Sequence, residues 1–307
     1  MTETALILEC AGEQLLGIHH AGAPGARVGV LIVVGGPQYR VGSHRQFVLL
    51  ARHLSANGVP AFRFDYRGMG DASGEMRDFE AIRDDITCAI DVFLQHTPGL
   101  ERVVIWGLCD AASAALDYAW RDTRVAGLVL LNPWVRTDEG LAKAYLKHYY
   151  LRRLMSRAFW GGLVRGRVNP LASLRSLGAQ VRKALTGSRI AGGGDLGRVS
   201  AKTRAEGVAG APIDSAPLAP GQALPVRMAE GWRRFRGPIL LILSGDDLTA
   251  AEFKATVRDS AAWAGLLGCA GVEQHELAEA NHTFSREAWR CQVEQWTAQW
   301  VKERFVE

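Results

Sequence analysis

Three residues far apart in the chain carry the chemistry: Cys109, Asp247 and His282. The stretch Gly107-Leu108-Cys109-Asp110-Ala111 follows the apolar run 102–106 and leads into an Ala-rich helical stretch. It has the form G-x-C-x-A, a nucleophile elbow G-x-S-x-G with cysteine for serine and alanine for the last glycine. A sharp strand-to-helix turn strains the backbone of its central residue, so positions two before and two after must be small. A thiol at a helix N-terminus also faces the positive end of the peptide dipoles, which favours the thiolate, whereas the neighbouring Asp110 side chain opposes it. The bland alternative is a small buried cysteine at a tight turn.

A nucleophile of this kind needs a base and a group to orient the base. His282 stands in Ala280-Asn281-His282-Thr283-Phe284, just after the final short strand pattern and before the last helix. The order nucleophile, acid, base points to an acid after the strand at 239–243, where Ser244-Gly245-Asp246-Asp247 offers two carboxylates. Asp247, followed by Leu248, is the better placed to lie under the imidazole, and Asp246 is the alternative. The turn Gly35-Gly36-Pro37-Gln38 closes the run 28–34 and suits an oxyanion site built from the backbone N–H groups of Gly36 and Asp110. Gln38, His44, Arg67 and Trp134 are candidate substrate contacts, although Arg67 and His44 equally suit tying loops together. Tyr145, Tyr149 and Tyr150 would line the same space as Trp134, or simply pack.

The elements that must position these groups alternate along the chain. ALILEC and QLLGIHH (5–10, 14–20) read as a hairpin. Strands follow at 28–34, 60–65, 102–106, 125–131, 237–245 and 272–277, with helices near 44–57, 78–96, 110–121, 250–267 and 285–304. This predicts a doubly wound, mostly parallel eight-stranded α/β sheet with a basic helical cap insertion. The core is expected at 1–137 and 237–307, and the insertion at 138–236, with the Gly-, Ala-, Ser- and Pro-rich stretch 186–225 a flexible loop. Residues 138–236 hold 18 Lys and Arg against 6 Asp and Glu, an asymmetry that the net charge of +4 over 307 residues conceals.

With 48% hydrophobic and 22% charged residues the chain belongs among folded globular proteins. The N-terminus MTETALILEC lacks the features of a secretory leader, which places the expectation in the cytoplasm. The five scattered cysteines form no C-x-x-C pair, which argues against a disulfide framework or a zinc site. G-x-G-x-x-G is missing after the first parallel strand, so neither a dinucleotide cofactor nor a metal is expected. The basic stretch carries no nucleic-acid-binding signature. It suits an anionic, carrier-bound or small acyl substrate, or peripheral contact with a membrane surface, or is a solvated face with no ligand.

Nearly the whole chain resembles an α/β-hydrolase, with V-G-G-P similar to the H-G-G-P turn of that superfamily. More narrowly, GGPQYRVGSHRQF, FDYRGMGD, WGLCDAASAAL, LNPWVRT, YLKHYYLRRL, LSGDDLTAAEF and ANHTFS resemble the exosortase A system-associated hydrolase 1 family. The resemblance implies a setting among exosortase, PEP-CTERM and exopolysaccharide systems. It supports Cys109, Asp247 and His282 and names no substrate. Two functions follow: an esterase, thioesterase or acyltransferase working through an acyl-Cys109, or a hydrolase-fold binding or scaffold protein without turnover.

Overall fold

The computed structural model describes residues 2–36, 38–135 and 222–306. Eight strands form one sheet in the order β1-β2-β4-β3-β5-β6-β7-β8. They are β1 Glu3–Cys10, β2 Glu13–His20, β3 Val28–Val33, β4 Ala61–Phe64, β5 Arg102–Leu108, β6 Val125–Leu131, β7 Ile239–Ser244 and β8 Val272–Leu277. The first two pair antiparallel across Ala11 and Gly12, both at positive φ as a tight hairpin demands, and β2 runs antiparallel to β4. From β4 through β8 every pairing is parallel.

Six α-helices accompany the described strands: α1 Gln46–Ala56, α2 Arg83–His96, α3 Asp110–Ala119, α4 Leu224–Arg234, α5 Leu248–Asp259 and α6 Glu287–Phe305. Strands β3, β6 and β7 are buried at every position, the result of helices on both faces, and so read as continuous apolar runs. Each fully buried Val, Leu or Ile contributes about 1.5–3 kcal/mol. The strands β1 and β8 lie at the edges and are mostly exposed or half-buried instead, with buried positions only toward the C-terminal end of β1. The expected insertion at 138–236, including the flexible loop at 186–225, lies almost wholly outside the described residues. Its last turns form α4, whose Gly231 sits so close to α3 that an added Cβ would lie 2.2 Å from the Leu116 carbonyl oxygen.

Two of the scattered cysteines meet in space. Cys10 on β1 and Cys88 on α2 are free thiols with sulfurs 2.6 Å apart. Burial first, and the Cys88 contact second, push the Cys10 thiol up to about 12.

At the other end of the β1–β2 hairpin, the Arg63 side chain on β4 donates from Nε to the buried His20 Nε2 at 3.0 Å. Burial and then the Arg63 charge lower the His20 imidazole to about 4. The folded value lies below the ordinary one of about 6.5, so this stabilising contribution is complete above that pH and is lost as pH falls toward 4. Between pH 7 and 4.5 the loss is about 2–3 kcal/mol. Urea denaturation should therefore show a flatter pH dependence for His20→Gln than for the wild type; parallel curves would contradict the assignment.

Candidate active site

The C-terminal ends of β3, β5, β6, β7 and β8 converge on one edge of the sheet, where open α/β sheets place their ligand crevice. Cys109 occupies the turn between β5 and α3 at φ 64°, ψ −124°, a conformation that an L-residue adopts only under constraint. That constraint is visible on both sides. The Cys109 amide donates to the Leu131 carbonyl at 2.9 Å, and its own carbonyl accepts from the amides of Ala112 at 3.1 Å and Trp134 at 3.2 Å. A Cβ on Gly107 would meet the Ala111 carbonyl carbon and oxygen at 2.7 Å, which is why only glycine fits there. Ala111, the residue at the other small position, is fully buried.

His282 Nδ1 lies 2.9 Å from Asp247 Oδ2. The Asp247 side chain is nearly buried, and it also accepts from the amides of Thr249 at 3.2 Å and Ala250 at 3.0 Å, capping α5. Burial pushes this carboxyl upward, but the hydrogen bond and charge of His282 and the two helix amides outweigh it and hold the group below its ordinary value. Asp246 points away into solvent; only its backbone is engaged, donating to the Ala280 carbonyl at 3.0 Å. With Nδ1 committed to Asp247, His282 has Nε2 left for proton transfer.

A second polar group, which sequence reasoning missed, holds the histidine loop in place. Asn132, buried at the end of β6 with φ 43°, donates from Nδ2 to Ser244 Oγ at 2.8 Å and to the His282 carbonyl at 3.1 Å. Its Oδ1 accepts from the Ser244 amide at 2.8 Å, and Ser244 Oγ donates to the Asn281 carbonyl at 2.9 Å. Because the Leu131 carbonyl receives the Cys109 amide, adjacent residues of β6 hold both the nucleophile turn and the base loop. The available signal was polar residues, Asn132 and Ser244, directly ending two apolar runs. Asn132→Ala would leave the buried Ser244 amide unpaired and put alanine in the left-handed region, costing about 2–4 kcal/mol. Chemical denaturation measures this directly, and an unchanged midpoint would contradict the network.

The turn after β3 departs from expectation. Asp110, the first residue of α3, turns its carboxylate onto the amides meant for an oxyanion. Oδ1 accepts from Gly36 at 2.7 Å and from Ala111 at 2.9 Å, and Oδ2 accepts from Gly36 at 2.9 Å. Burial raises this carboxyl above its ordinary value, with the Gly36, Ala111 and Asp110 amides and the charge of His282 opposing. The Gly36 amide therefore already has a partner in the Asp110 side chain.

The expected substrate contacts fare differently. Arg67 requires correction: its guanidinium is buried and paired through Nε and Nη2 with Asp85, each at 2.8 Å, so it ties the loop after β4 to α2. Gln38 Oε1 accepts from the Ser43 amide at 3.1 Å and hydroxyl at 3.3 Å, bracing its own loop. His44 is exposed in a short helical turn, Ser43–Arg45, at φ 54°. Trp134 is partly buried beside the elbow, with its carbonyl accepting from Ser113 Oγ at 2.6 Å. Tyr145, Tyr149 and Tyr150 lie outside the described residues. Among the described residues, no cluster of three or more His, Cys, Asp or Glu is placed to hold a metal ion.

The family model described as serine aminopeptidase, S33 matches residues 29–185, which include the elbow. No curated protein matches the sequence. Solved structures with the same fold include an esterase of Pyrococcus furiosus, with TM-score 0.61 at 11% identity over 99% of this chain and 91% of that one. The enzyme Est1E of Butyrivibrio proteoclasticus, solved with ferulic acid bound, gives TM-score 0.59 at 13% identity over 99% and 100%. A dienelactone hydrolase of Anabaena variabilis gives 0.57 at 14% over 99% and 98%. The sheet order, the elbow after β5 and the family match covering half the chain agree: this protein is a member of the serine aminopeptidase S33 family of α/β-hydrolases, with cysteine at the elbow.

Proposed function

We propose that this hydrolase cleaves an ester or thioester, or transfers its acyl group, through an acyl-Cys109 intermediate. The observation that carries the reading is a strained cysteine on the β5–α3 turn at the same sheet edge as an imidazole bonded to a buried carboxylate. His282 Nε2 takes the thiol proton as Sγ attacks the carbonyl carbon, and the C=O pair moves onto oxygen. Collapse expels the alcohol or thiol, which takes the proton from His282. Water or an acceptor alcohol then attacks the acyl-sulfur carbon, losing its proton to His282, and collapse returns that proton to Sγ. Asp247 fixes the imidazole orientation and stabilises the cation in both steps. The amides of Gly36 and Asp110 receive the oxyanion once the Asp110 carboxylate has left them.

The excess of Lys and Arg in 138–236 supports an anionic acyl donor, such as an acyl-carrier or coenzyme A thioester, or peripheral contact with an anionic membrane. Among the described residues no helix is long and apolar enough to cross a membrane. The resemblance to the exosortase-associated hydrolases supports a cytoplasmic role alongside exopolysaccharide assembly. A second reading, a binding or scaffold protein without turnover, is favoured by one observation: the Gly36 amide is already satisfied by Asp110. Mass spectrometry after exposure to acyl thioesters and aryl esters decides between them. An acyl adduct on the Cys109 peptide supports the enzyme, whereas no adduct from any donor supports the scaffold.

A further inference from the structure

We infer that the Asp110 carboxylate is the resting occupant of the oxyanion nest, so that a substrate must displace it before its carbonyl can be polarised. This rests on the proposed acyl-Cys109 chemistry and adds the regulation of that site. An oxyanion hole works through amide donors 2.7–3.1 Å from the developing negative oxygen. The Asp110 oxygens stand 2.7 and 2.9 Å from the Gly36 nitrogen and 2.9 Å from the Ala111 nitrogen, the same window, with a full negative charge in place.

The carboxylate is also packed into position. A Cβ on Gly35 would lie 2.3 Å from Asp110 Oδ1 and 2.5 Å from the Leu108 carbonyl oxygen, so glycine at 35 leaves the space this carboxylate fills. Gly36, in contrast, holds φ 62°, and among the described residues nothing lies within 4 Å of an added Cβ, so no described atom closes that side of the nest. A carbonyl oxygen arriving there competes with the Asp110 carboxylate for the Gly36 N–H.

An acid at the first turn of a helix commonly serves as a cap alone, and that role predicts the opposite outcome. If Asp110 only stiffens the turn, its removal loosens the site and slows acylation. If it occupies the nest, its removal frees charge-assisted donors and speeds acylation.

The test compares wild type, Asp110→Ala and Asp110→Asn for acylation of Cys109 by p-nitrophenyl acetate, with sodium acetate as a small carboxylate able to refill the nest. Asp110→Ala should acylate about tenfold faster or more, from the loss of one or two charge-assisted hydrogen bonds. Added acetate should slow it toward the wild-type rate while leaving wild type nearly unaffected. Asp110→Asn, which keeps the size and one neutral acceptor, should fall between and serves if the alanine variant folds poorly. Slower acylation in both variants, or faster acylation without acetate inhibition, overturns the inference and leaves acyl-Cys109 chemistry standing. Should no form acylate, the proposed function fails, and the nest is then judged by melting temperature alone. Acetate must raise that of Asp110→Ala and not of wild type, and equal shifts overturn the inference.

Discussion

Cys109→Ala is expected to lower turnover of the best acyl donor by about 10⁴–10⁶-fold, the range found when a nucleophile is removed from a cooperating triad. The loss should fall on kcat, because the thiol forms its bond to substrate only in the reaction itself. Folding should survive: alanine fits the same turn, which is held by the backbone bond that residue 109 donates to the Leu131 carbonyl and those its carbonyl accepts from the Ala112 and Trp134 amides. Steady-state kinetics beside circular dichroism separates the two effects. Cys109→Ser is the informative companion, since the elbow is the form that presents serine in related motifs, and it should retain more activity than the alanine variant. A Cys109→Ala protein that turns substrate over at the wild-type rate would sink the mechanism.

The second large effect belongs to the acid and base. Asp247→Asn keeps Oδ1 to accept from Thr249, whereas the NH2 that replaces Oδ2 cannot accept from Ala250, so the cap on α5 is weakened. It can also offer an N–H to His282 Nδ1, which favours the tautomer with its proton on Nε2, facing the thiol and unable to act as a base. By this argument kcat drops about 10³–10⁴-fold, and the lost cap bond costs about 1 kcal/mol of stability. Asp246→Asn, whose side chain points to solvent, should change neither. His282→Ala should stall deacylation, so that the Cys109 adduct persists in a mass spectrum after excess substrate is removed. Equal loss in the Asp246 and Asp247 variants, or rapid clearing of the adduct without His282, would contradict the assignment of roles.

Asp247 carries a further consequence for acid stability. Its folded value lies below the ordinary carboxylate value, so its contribution is complete above the unfolded value and is lost as pH falls through the folded one. In the same range Asp110 acts with the opposite sign, because burial makes its ionised form the less comfortable one. Neighbouring carboxylates at one sheet edge are thus held differently, one beside an imidazole and one seated on the Gly36 and Ala111 amides.

Sequence alone was enough to determine the alternation of strands and helices, because a parallel sheet covered on both faces leaves uninterrupted apolar runs in strands such as β3, β6 and β7. It also marked the bend at Cys109, since small residues at 107 and 111 answer a steric demand that is local to the chain. What no local pattern could determine was the partner of each polar side chain. Asp246 and Asp247 are chemically alike, and only the direction in which β7 delivers them into α5 puts one under His282 and the other in water. Arg67 suited either a substrate contact or a loop tie, until the packing of α2 brought Asp85 against it. Asp110 looked like a backbone donor with an inconvenient charge, until the turn after β3 came within reach of its carboxylate. Backbone turns are set by neighbours in sequence, whereas charge pairing and desolvation are set by neighbours in space, and those exist only once the sheet has assembled.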